Sequence, residues 1–333
     1  EISACLVGSE MCIRDSINTI KEDLEALVDK RLHWTLLTLP ILGIVIFTIL
    51  PLVFMICMAF TSYSKVGDHL TIFHWVGLKN FSTVLGMGNS IGKTFWSVLG
   101  WTLIWAVLAT FLNYILGMIL AIVINRKTTR IKGFWRFCFM LSAAIPQFVS
   151  LLLMRTMLKD NGLINNLLVQ AGLISSPLPF LTNATWARAT VVIINLWVGI
   201  PFTMMQVTGI LQNIPGELYE AARVDGAGPV TIFFKITLPY MLFVTTPYLI
   251  TTFTGNINNF NVIYLLTAGA PVPVGATAGK TDLLVTWLYK LTVDLQYFNV
   301  GAVVGILTFV ILAVVSLITY RNTGSYKNEE GFQ

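Results

Sequence analysis

Residues 215–239 read Pro215-Gly-Glu-Leu-Tyr-Glu-Ala-Ala-Arg-Val-Asp-Gly-Ala-Gly-Pro-Val-Thr-Ile-Phe-Phe-Lys-Ile-Thr-Leu-Pro239. The stretch opens with Pro-Gly, and Glu217 and Glu220 follow near what would be the positive N-terminal end of a helix. Gly226, a residue type that commonly ends helices, comes next. The pattern predicts a short polar helix. Because long charge-free stretches lie on both sides of it, this helix is expected in a loop between two membrane spans.

Charge-free stretches along the whole chain predict six spans. The 333 residues are 56% hydrophobic and 11% charged, whereas a water-soluble domain carries about 25% charged residues. A charge near the bilayer centre costs about 2.5–3.5 kcal/mol, and a helical span needs about 20 residues. Six stretches without Asp, Glu, Lys or Arg stand out, at 32–64, 94–125, 137–154, 189–216, 236–279 and 295–320. We therefore expect an all-α polytopic membrane protein.

Two of these stretches need adjustment, and the rest of the chain divides around them. Residues 137–154 are long enough to cross if Phe134 and Trp135 are included. Residues 236–279 are interrupted by Pro and Gly near 267–275, so they are counted as one helix and an outer loop. The domain boundaries predicted from the sequence are a first span at 34–60, an outer loop at 61–96, a five-span core at 97–320 and a tail at 321–333.

The distribution of Lys and Arg predicts the orientation. Counted from Ile17, the side that holds both termini and the loops near 125–136 and 211–240 carries 12 of them, and the other side carries eight. By the positive-inside rule, the first side is expected to be cytoplasmic. The net charge of +5 is thereby explained by topology, without nucleic-acid binding.

The first residues differ from everything after them. Residues 5–16, Cys5-Leu-Val-Gly-Ser-Glu-Met-Cys-Ile-Arg-Asp-Ser16, resemble a translated sequencing adapter, so residues 1–16 are expected to be a non-native artefact of a truncated gene. Apolar residues then recur at helical spacing among charged ones, which predicts a cytoplasmic amphipathic helix over 17–33. Membrane-surface binding and simple packing explain that helix equally well.

Motifs for catalysis and metal binding are absent from the sequence. The three histidines are not paired at metal-ligand spacing, and no GxSxG or HExxH motif occurs. Without the adapter-like residues, Cys57 and Cys138 remain, in different helices, and they form no CxxC pair. Residues 86–94 resemble a phosphate-binding loop, but Met87 stands where that motif requires Gly. We expect no catalytic residue, metal or bound cofactor, and any ATP hydrolysis should reside in a separate chain.

The 215–239 stretch resembles the EAA loop of importer-type ABC permeases. Glu220-Ala221-Ala222, three residues, Gly226, nine residues and Ile236-Thr-Leu238-Pro239 match its pattern at every defined position. The resemblance implies a coupling helix that seats in a cleft of an ATPase subunit. The coupling residues it implies are Glu217, Glu220, Ala221, Ala222, Gly226 and Pro239. A plain surface helix would explain the amphipathic pattern but not the full motif.

Other segments narrow the resemblance to carbohydrate permeases. Residues 76–81 and 161–165 look like outer-loop motifs of carbohydrate-uptake permeases, and residues 255–267 and 278–285 closely resemble the larger (MalF-type) membrane subunit of maltose-type transporters. That family implies the type I importer permease fold in a bacterial cytoplasmic membrane. It implies as partners a second EAA-type permease, two ATPase subunits that bind ATP and Mg²⁺, and an extracytoplasmic sugar-binding protein.

Polar residues in the fifth predicted span point to a path for a neutral solute. Its run of Thr and Asn cannot all face lipid, because each buried, unpaired amide costs about 1–3 kcal/mol. Uncharged amides suit sugar hydroxyls, which both donate and accept hydrogen bonds, and aromatic faces can stack on sugar rings. Pro201 and Gly199 are expected to loosen the fourth span. The substrate-path candidates are Trp197, Phe202, Asn256, Asn258, Asn259 and Tyr264, and hydrogen bonding between helices is the alternative role for each Asn.

Two functions from different classes remain open. The first is a permease subunit of an ATP-driven importer of maltose, maltodextrin or related oligosaccharides; peptides, polyols or glycerol phosphates are weaker candidates. The second is a self-sufficient secondary carrier or channel for a neutral solute. A carrier driven by protons or sodium should contain intramembrane carboxylates, and the predicted spans contain none.

Overall fold

A computed structural model describes residues 32, 34, 36–64, 74–126 and 128–321. Within these residues the protein is helical, apart from one isolated bridge between Thr61 and Trp75. The adapter-like residues, most of the predicted amphipathic helix and the C-terminal tail lie outside the described residues. The all-α prediction is confirmed for the part described.

Five of the described helices are long and apolar enough to cross a membrane, namely α1, α3, α7, α9 and α12. In chain order the helices are α1 (Leu36–Ala59), α2 (Lys79–Leu85), α3 (Ser90–Asn125), α4 (Lys132–Ala144), α5 (Gln147–Met157), α6 (Leu163–Gln170), α7 (Ala184–Gln212), α8 (Gly216–Val224), α9 (Pro229–Ile257), α10 (Phe260–Leu266), α11 (Leu284–Tyr289) and α12 (Phe298–Arg321). The chain divides into two compact units, up to Cys57 and from Met58 onward. In the first unit most large apolar side chains of α1 are exposed.

The third predicted span is not straight. It is formed by α4 and α5, which meet at an angle of 84°. Ile145 is extended, with φ −76° and ψ 127°, because the ring of Pro146 disfavours the helical conformation of the residue before it. The sequence predicted a span over 137–154, and the bent pair supplies it as a candidate sixth span made of two helices.

The fifth span begins earlier and ends earlier than expected. The charge-free stretch from residue 236, interrupted by Pro and Gly near 267–275, predicts a helix that begins near Pro239–Leu242 and ends near Leu266, whereas α9 runs from Pro229 to Ile257. Pro229 occupies the first helical turn, where its missing N–H costs nothing. Pro239 is accommodated directly after a π-helical turn at Phe233–Thr237, which shifts the hydrogen-bond register.

The end of α9 is set by two asparagines. Asn258 is the C-cap of α9. Asn259 is the N-cap of α10, where its Oδ1 accepts a hydrogen bond from the Val262 N–H at 3.2 Å. Asn side chains compete with the backbone for hydrogen bonds and favour caps over helix interiors. Both residues therefore lie at a break in the span and not near the centre of a continuous helix.

Two buried clusters stack along the spans of the second unit. One is centred on Trp101 and Trp105 of α3 with Val191 of α7, and the other on Met118 of α3 with Met204 of α7. Both clusters depend on close approach of α3 and α7. A Cβ added to Gly117 would lie 2.8 Å from the side chain of Thr203. Interlocking side chains of α3 and α7 thus hold the centre of the bundle.

Gly199 and Pro201 do not loosen the fourth span, in contrast to the sequence prediction. α7 continues through Pro201 without a break. A Cβ on Gly199 would lie 2.0 Å from Asn113 Nδ2, so Gly199 serves as a contact surface for α3. The hydroxyl of Thr203 donates to Asn113 Oδ1 at 3.2 Å. These contacts hold α7 against α3 on both sides of Pro201.

Candidate coupling helix and substrate path

The predicted coupling helix is present as α8, and its two ends follow the sequence pattern. Glu217 lies in the first turn and Arg223 in the last, and both charges complement the helix dipole. The C-terminal end has the Schellman hydrogen bonds, from Gly226 N–H to Arg223 O at 3.0 Å and from Ala227 N–H to Ala222 O at 2.9 Å. Gly226 has φ +76°, a conformation that a side chain disfavours. The motif glycine therefore has a defined local role in ending the helix.

The two faces of α8 differ in exposure. Tyr219 is half-buried, and its hydroxyl is hydrogen-bonded to Thr237 Oγ1 of α9 at 3.2 Å. Ala222 is also half-buried. Positions 217, 220, 221 and 224 follow i, i+3, i+4, i+7 spacing and are all exposed. We call these four residues the outer stripe: Glu217, Glu220, Ala221 and Val224.

The coupling candidates therefore separate into two groups. Glu217, Glu220 and Ala221 lie on the outer stripe, whereas Ala222 turns partly toward the bundle. Pro239 lies in α9, directly after the π turn that contains Thr237. A hydrogen bond between Tyr219 and Thr237 joins α8 to the start of α9.

Trp197 and Phe202 line a cleft at the bend of the broken span. The cleft has a volume of about 390 Å³, and its other walls include Pro146, Gln147 and Ser150. Trp197 is 45% exposed and Phe202 57% exposed. No residue lining the described cleft is charged. Two aromatic faces with an amide and hydroxyl groups form a surface suited to a neutral, hydroxyl-rich molecule.

The asparagine candidates are not part of this cleft, and the structure gives them three different environments. Asn256 is buried; its Nδ2 donates to Thr110 Oγ1 at 3.0 Å, and its carbonyl accepts from Trp105 Nε1 at 3.1 Å. Asn259 caps α10, with its Nδ2 3.4 Å from Asn256 Oδ1. Asn258 is exposed, and its side chain makes no hydrogen bond with the described residues. Only Asn258 thus keeps both amide groups available.

Tyr264 belongs to an aromatic cluster of its own. Its ring stacks on Phe260 at 4.7 Å between centroids and meets the edge of Tyr289 at 5.2 Å. The cleft at the bend does not include Tyr264 among its lining residues. The six substrate-path candidates therefore do not form one described site: two line the cleft, three surround the break between α9 and α10, and one packs beside that break.

Sequence reasoning missed two residues that the structure places prominently. Val224 is 88% exposed on the outer stripe, although it is apolar. Its spacing from Glu217, Glu220 and Ala221 was the available signal. Gln147 lines the cleft at the first position of α5, and Pro146 before it was the signal for a helix start.

A broken span, a set of long apolar helices, and a short glycine-capped helix that carries the EAA pattern are the features of a membrane permease subunit of an ABC importer. The chain belongs to the family described as "Binding-protein-dependent transport system inner membrane component", which it matches over residues 113–323. It is therefore an inner-membrane protein.

Named relatives and a solved structure agree with this membership. The chain is 38% identical over 294 residues to the galactooligosaccharides transport system permease protein GanP of Bacillus subtilis (strain 168), covering 87% of this chain and 70% of the relative. It is 36% identical over 329 residues to the maltodextrin transport system permease protein MdxF of the same organism, covering 94% and 74%. A bacterial alginate ABC transporter, solved with its pentasaccharide-bound periplasmic protein, has a TM-score of 0.70 at 23% identity, over 88% of this chain and 94% of that chain.

The similarities distinguish the two functional classes considered above. The family is an inner-membrane component of binding-protein-dependent transport systems, and both relatives are named as permease proteins of oligosaccharide transport systems. The interpretation as an ABC sugar permease is confirmed, and nothing among these similarities supports a self-sufficient carrier. The solved alginate transporter shares the fold.

Proposed function

We propose that this chain forms one half of the translocation path of an ATP-driven importer for neutral oligosaccharides of the maltodextrin or galacto-oligosaccharide type. The observation that carries the proposal is α8, which is bonded to α9 through Tyr219 and exposes its outer stripe. The stripe docks on an ATPase subunit, which hydrolyses ATP with Mg²⁺. A second EAA-type permease and a second ATPase subunit complete the transporter, with an external sugar-binding protein.

The orientation follows from the same assignment. ATP is available only in the cytoplasm, so α8 and both termini face that side. The loop before α2 and the segment between α10 and α11 then face outward, where the binding protein delivers sugar. In this arrangement Trp197 and Phe202 lie on α7 between Val191 of one buried cluster and Met204 of the other.

The substrate class is supported by the chemistry of the cleft and of Asn258. The cleft has two exposed aromatic rings and no charged lining residue, which suits a neutral sugar and disfavours an ionic solute. Asn258 has a free amide at the helix break. We propose that sugar passes the cleft and hydrogen-bonds to Asn258, whereas Asn256 and Asn259 maintain the break.

The docking role of the outer stripe is tested with Val224→Asp in the assembled transporter. The new carboxylate should disfavour contact with the ATPase, so the ATPase subunits should be lost on solubilisation and sugar uptake should stop. Leu173→Asp is the matched control. Leu173 is also an exposed apolar residue, at 72%, but it follows α6 and does not belong to α8. Co-purification of the ATPase at wild-type yield with the Val224 variant would contradict the docking role.

The sugar path is tested by comparing Asn258→Ala with Asn256→Ala. Loss of one hydrogen-bonding amide from Asn258 should cost about 1–2 kcal/mol of sugar affinity, a factor of about five to thirty. Uptake of labelled maltodextrin or galacto-oligosaccharide should fall while subunit abundance is preserved. Asn256→Ala should instead deplete the subunit, because it leaves buried partners unpaired. If the subunit is depleted in both variants, Asn258 contributes to folding and not to sugar binding.

A further inference from the structure

A second cavity lies beside α8, on the opposite face from the outer stripe. It has a volume of about 880 Å³ and lies between the end of α3, the inner face of α8 and the start of α9. Most of its lining is aliphatic or aromatic, including Ile119, Ile122, Val123 and Phe233. Ile119 to Arg126 span about 10 Å of helix axis at 1.5 Å per residue. We call this cavity the basal groove.

The polar end of the basal groove is cationic. Arg126 and Arg223 line it, and both are exposed. Neither forms an ion pair in the described part of the chain, where the salt-bridge geometry is met only by Lys290 and Asp282. Two uncompensated arginines at the mouth of an apolar groove attract an anion that also carries an apolar chain.

More positive charge lies directly behind the groove. Asn125 lines the groove, and it accepts hydrogen bonds from the guanidinium of Arg136 and, through its carbonyl, from Lys132 Nζ at 3.1 Å. Arg136 Nε is buried and has no acceptor among the described residues. Asn125 is neutral, so it offsets none of this charge. Nothing within the groove lining is acidic.

The sequence around the basal groove indicates how deep the groove reaches into a bilayer. Residues 94–125 are free of charge and Arg126 is the first charged residue after them, so the groove extends from the apolar interior to the membrane surface. Basic pockets between membrane helices on the cytoplasmic side recognise anionic lipid head groups. From this geometry we propose that the basal groove binds one anionic phospholipid, with its phosphate between Arg126 and Arg223 and an acyl chain along Ile119, Ile122 and Val123.

A consequence for the transporter follows from the shared residues. Tyr219 and Arg223 of α8 line the groove together with Thr237 of α9. Tyr219 and Thr237 are the two residues whose hydrogen bond joins α8 to α9. A bound lipid therefore supports α8 from beneath and leaves the outer stripe uncovered. The proposal does not depend on which sugar is transported.

The test is lipid binding to the purified, assembled transporter in neutral phosphatidylcholine nanodiscs, titrated with phosphatidylglycerol and read by native mass spectrometry. One phosphatidylglycerol should bind more tightly than added phosphatidylcholine. Arg126→Gln and Arg223→Gln should each weaken it about fivefold, and both together about 25-fold. Arg130→Gln is the matched control, because Arg130 is exposed on the same α3–α4 connection but does not line the groove.

Four results would overturn the proposal. Three of them are equal binding of the two lipids, unchanged phosphatidylglycerol binding in the double arginine variant, and an Arg130→Gln effect as large as that of Arg126→Gln. Loss of the lipid in the assembled transporter but not in the isolated subunit would also overturn it, since the groove would then be covered by protein. Millimolar inorganic phosphate should not displace the lipid, because phosphate lacks the acyl chain.

Discussion

The buried ion pair between Asp282 and Lys290 should hold the segment between α10 and α11 in place. Asp282 is 0% exposed and Lys290 14% exposed, and the ammonium lies 2.6 Å from Oδ2. The same carboxylate accepts from Gly279 N–H at 2.7 Å and from Thr286 Oγ1 at 2.9 Å. Asp282 therefore accepts from three donors at once. Its removal should leave the Lys290 ammonium and the Gly279 N–H without an acceptor, whereas the Thr286 hydroxyl keeps the Leu283 carbonyl at 3.1 Å.

Replacing Asp282 with Ala should be strongly destabilising. Removing one member of a buried pair costs about 3–5 kcal/mol, because the remaining charge has no compensation. Lys290→Met should cost less, since Asp282 keeps two hydrogen bonds from Gly279 and Thr286. The double variant should be less damaged than the sum of the single variants. A coupling of at least about 1 kcal/mol is expected for residues in direct contact.

The coupling can be measured by denaturant-induced unfolding of the purified transporter in mixed micelles. Asp294→Ala provides the control, because Asp294 is an exposed carboxylate on the turn that follows α11, and its loss should change the free energy of unfolding by less than about 0.5 kcal/mol. If the effects of Asp282→Ala and Lys290→Met simply add, the pair does not act as a unit and the reasoning fails.

Two further predictions use pairs of glycines as matched controls. Gly226→Ala should destabilise the end of α8 by about 1 kcal/mol and weaken ATPase co-purification. The cause is the backbone conformation, since φ is +76° and no atom lies within 4 Å of the new Cβ. Gly228→Ala is the control, because φ is −72° there, and it should leave co-purification unchanged. Gly117→Val should lower the unfolding temperature, because its Cβ would lie 2.8 Å from Thr203. The expected loss in the free energy of unfolding is about 1–3 kcal/mol. Gly100→Val is the control; a Cβ there meets nothing within 4 Å, so the variant should be tolerated. Equal behaviour within either pair would show that backbone conformation or packing is not the cause.

Much of the fold could be predicted because charge and apolar length act locally. The absence of charge from residues 94–125 and 295–320 predicted α3 and α12. The end of α8 was also predictable, since Gly226 supplies the left-handed conformation that a Schellman cap needs. These features depend on residues close in sequence, so no knowledge of partners was required.

The breaks in two spans were harder to predict, although local signals were present. Pro146 indicated a break after Ile145, but an 18-residue apolar stretch was still treated as one span. Asn258 and Asn259 were interpreted by polarity, whereas their preference for helix caps proved decisive. Lys235 suggested that the fifth span started after it, yet α9 includes it as an exposed residue, whose long side chain can reach water.

The distribution of candidates over separate sites could not be predicted from the sequence. Whether Trp197 lies beside Asn258 or beside Gln147 depends on the 84° bend between α4 and α5. Asn256 illustrates the same limit, because its partner Thr110 lies on α3, far away in sequence. Such contacts arise from packing between helices.

Because a hydrogen bond between Tyr219 and Thr237 joins α8 to α9, we expect a movement of α8 to tilt α9. α9 has 29 residues, so it is about 43 Å long, and a tilt of about 10° at its Pro229 end would displace its far end by about 7 Å. Asn258 directly follows that end, so a small rotation of α9 driven by α8 should displace Asn258 by a distance comparable to the width of a sugar ring. Spin-label distances from residue 258 before and after ATP binding measure this leverage, and a change below about 1 Å would exclude it.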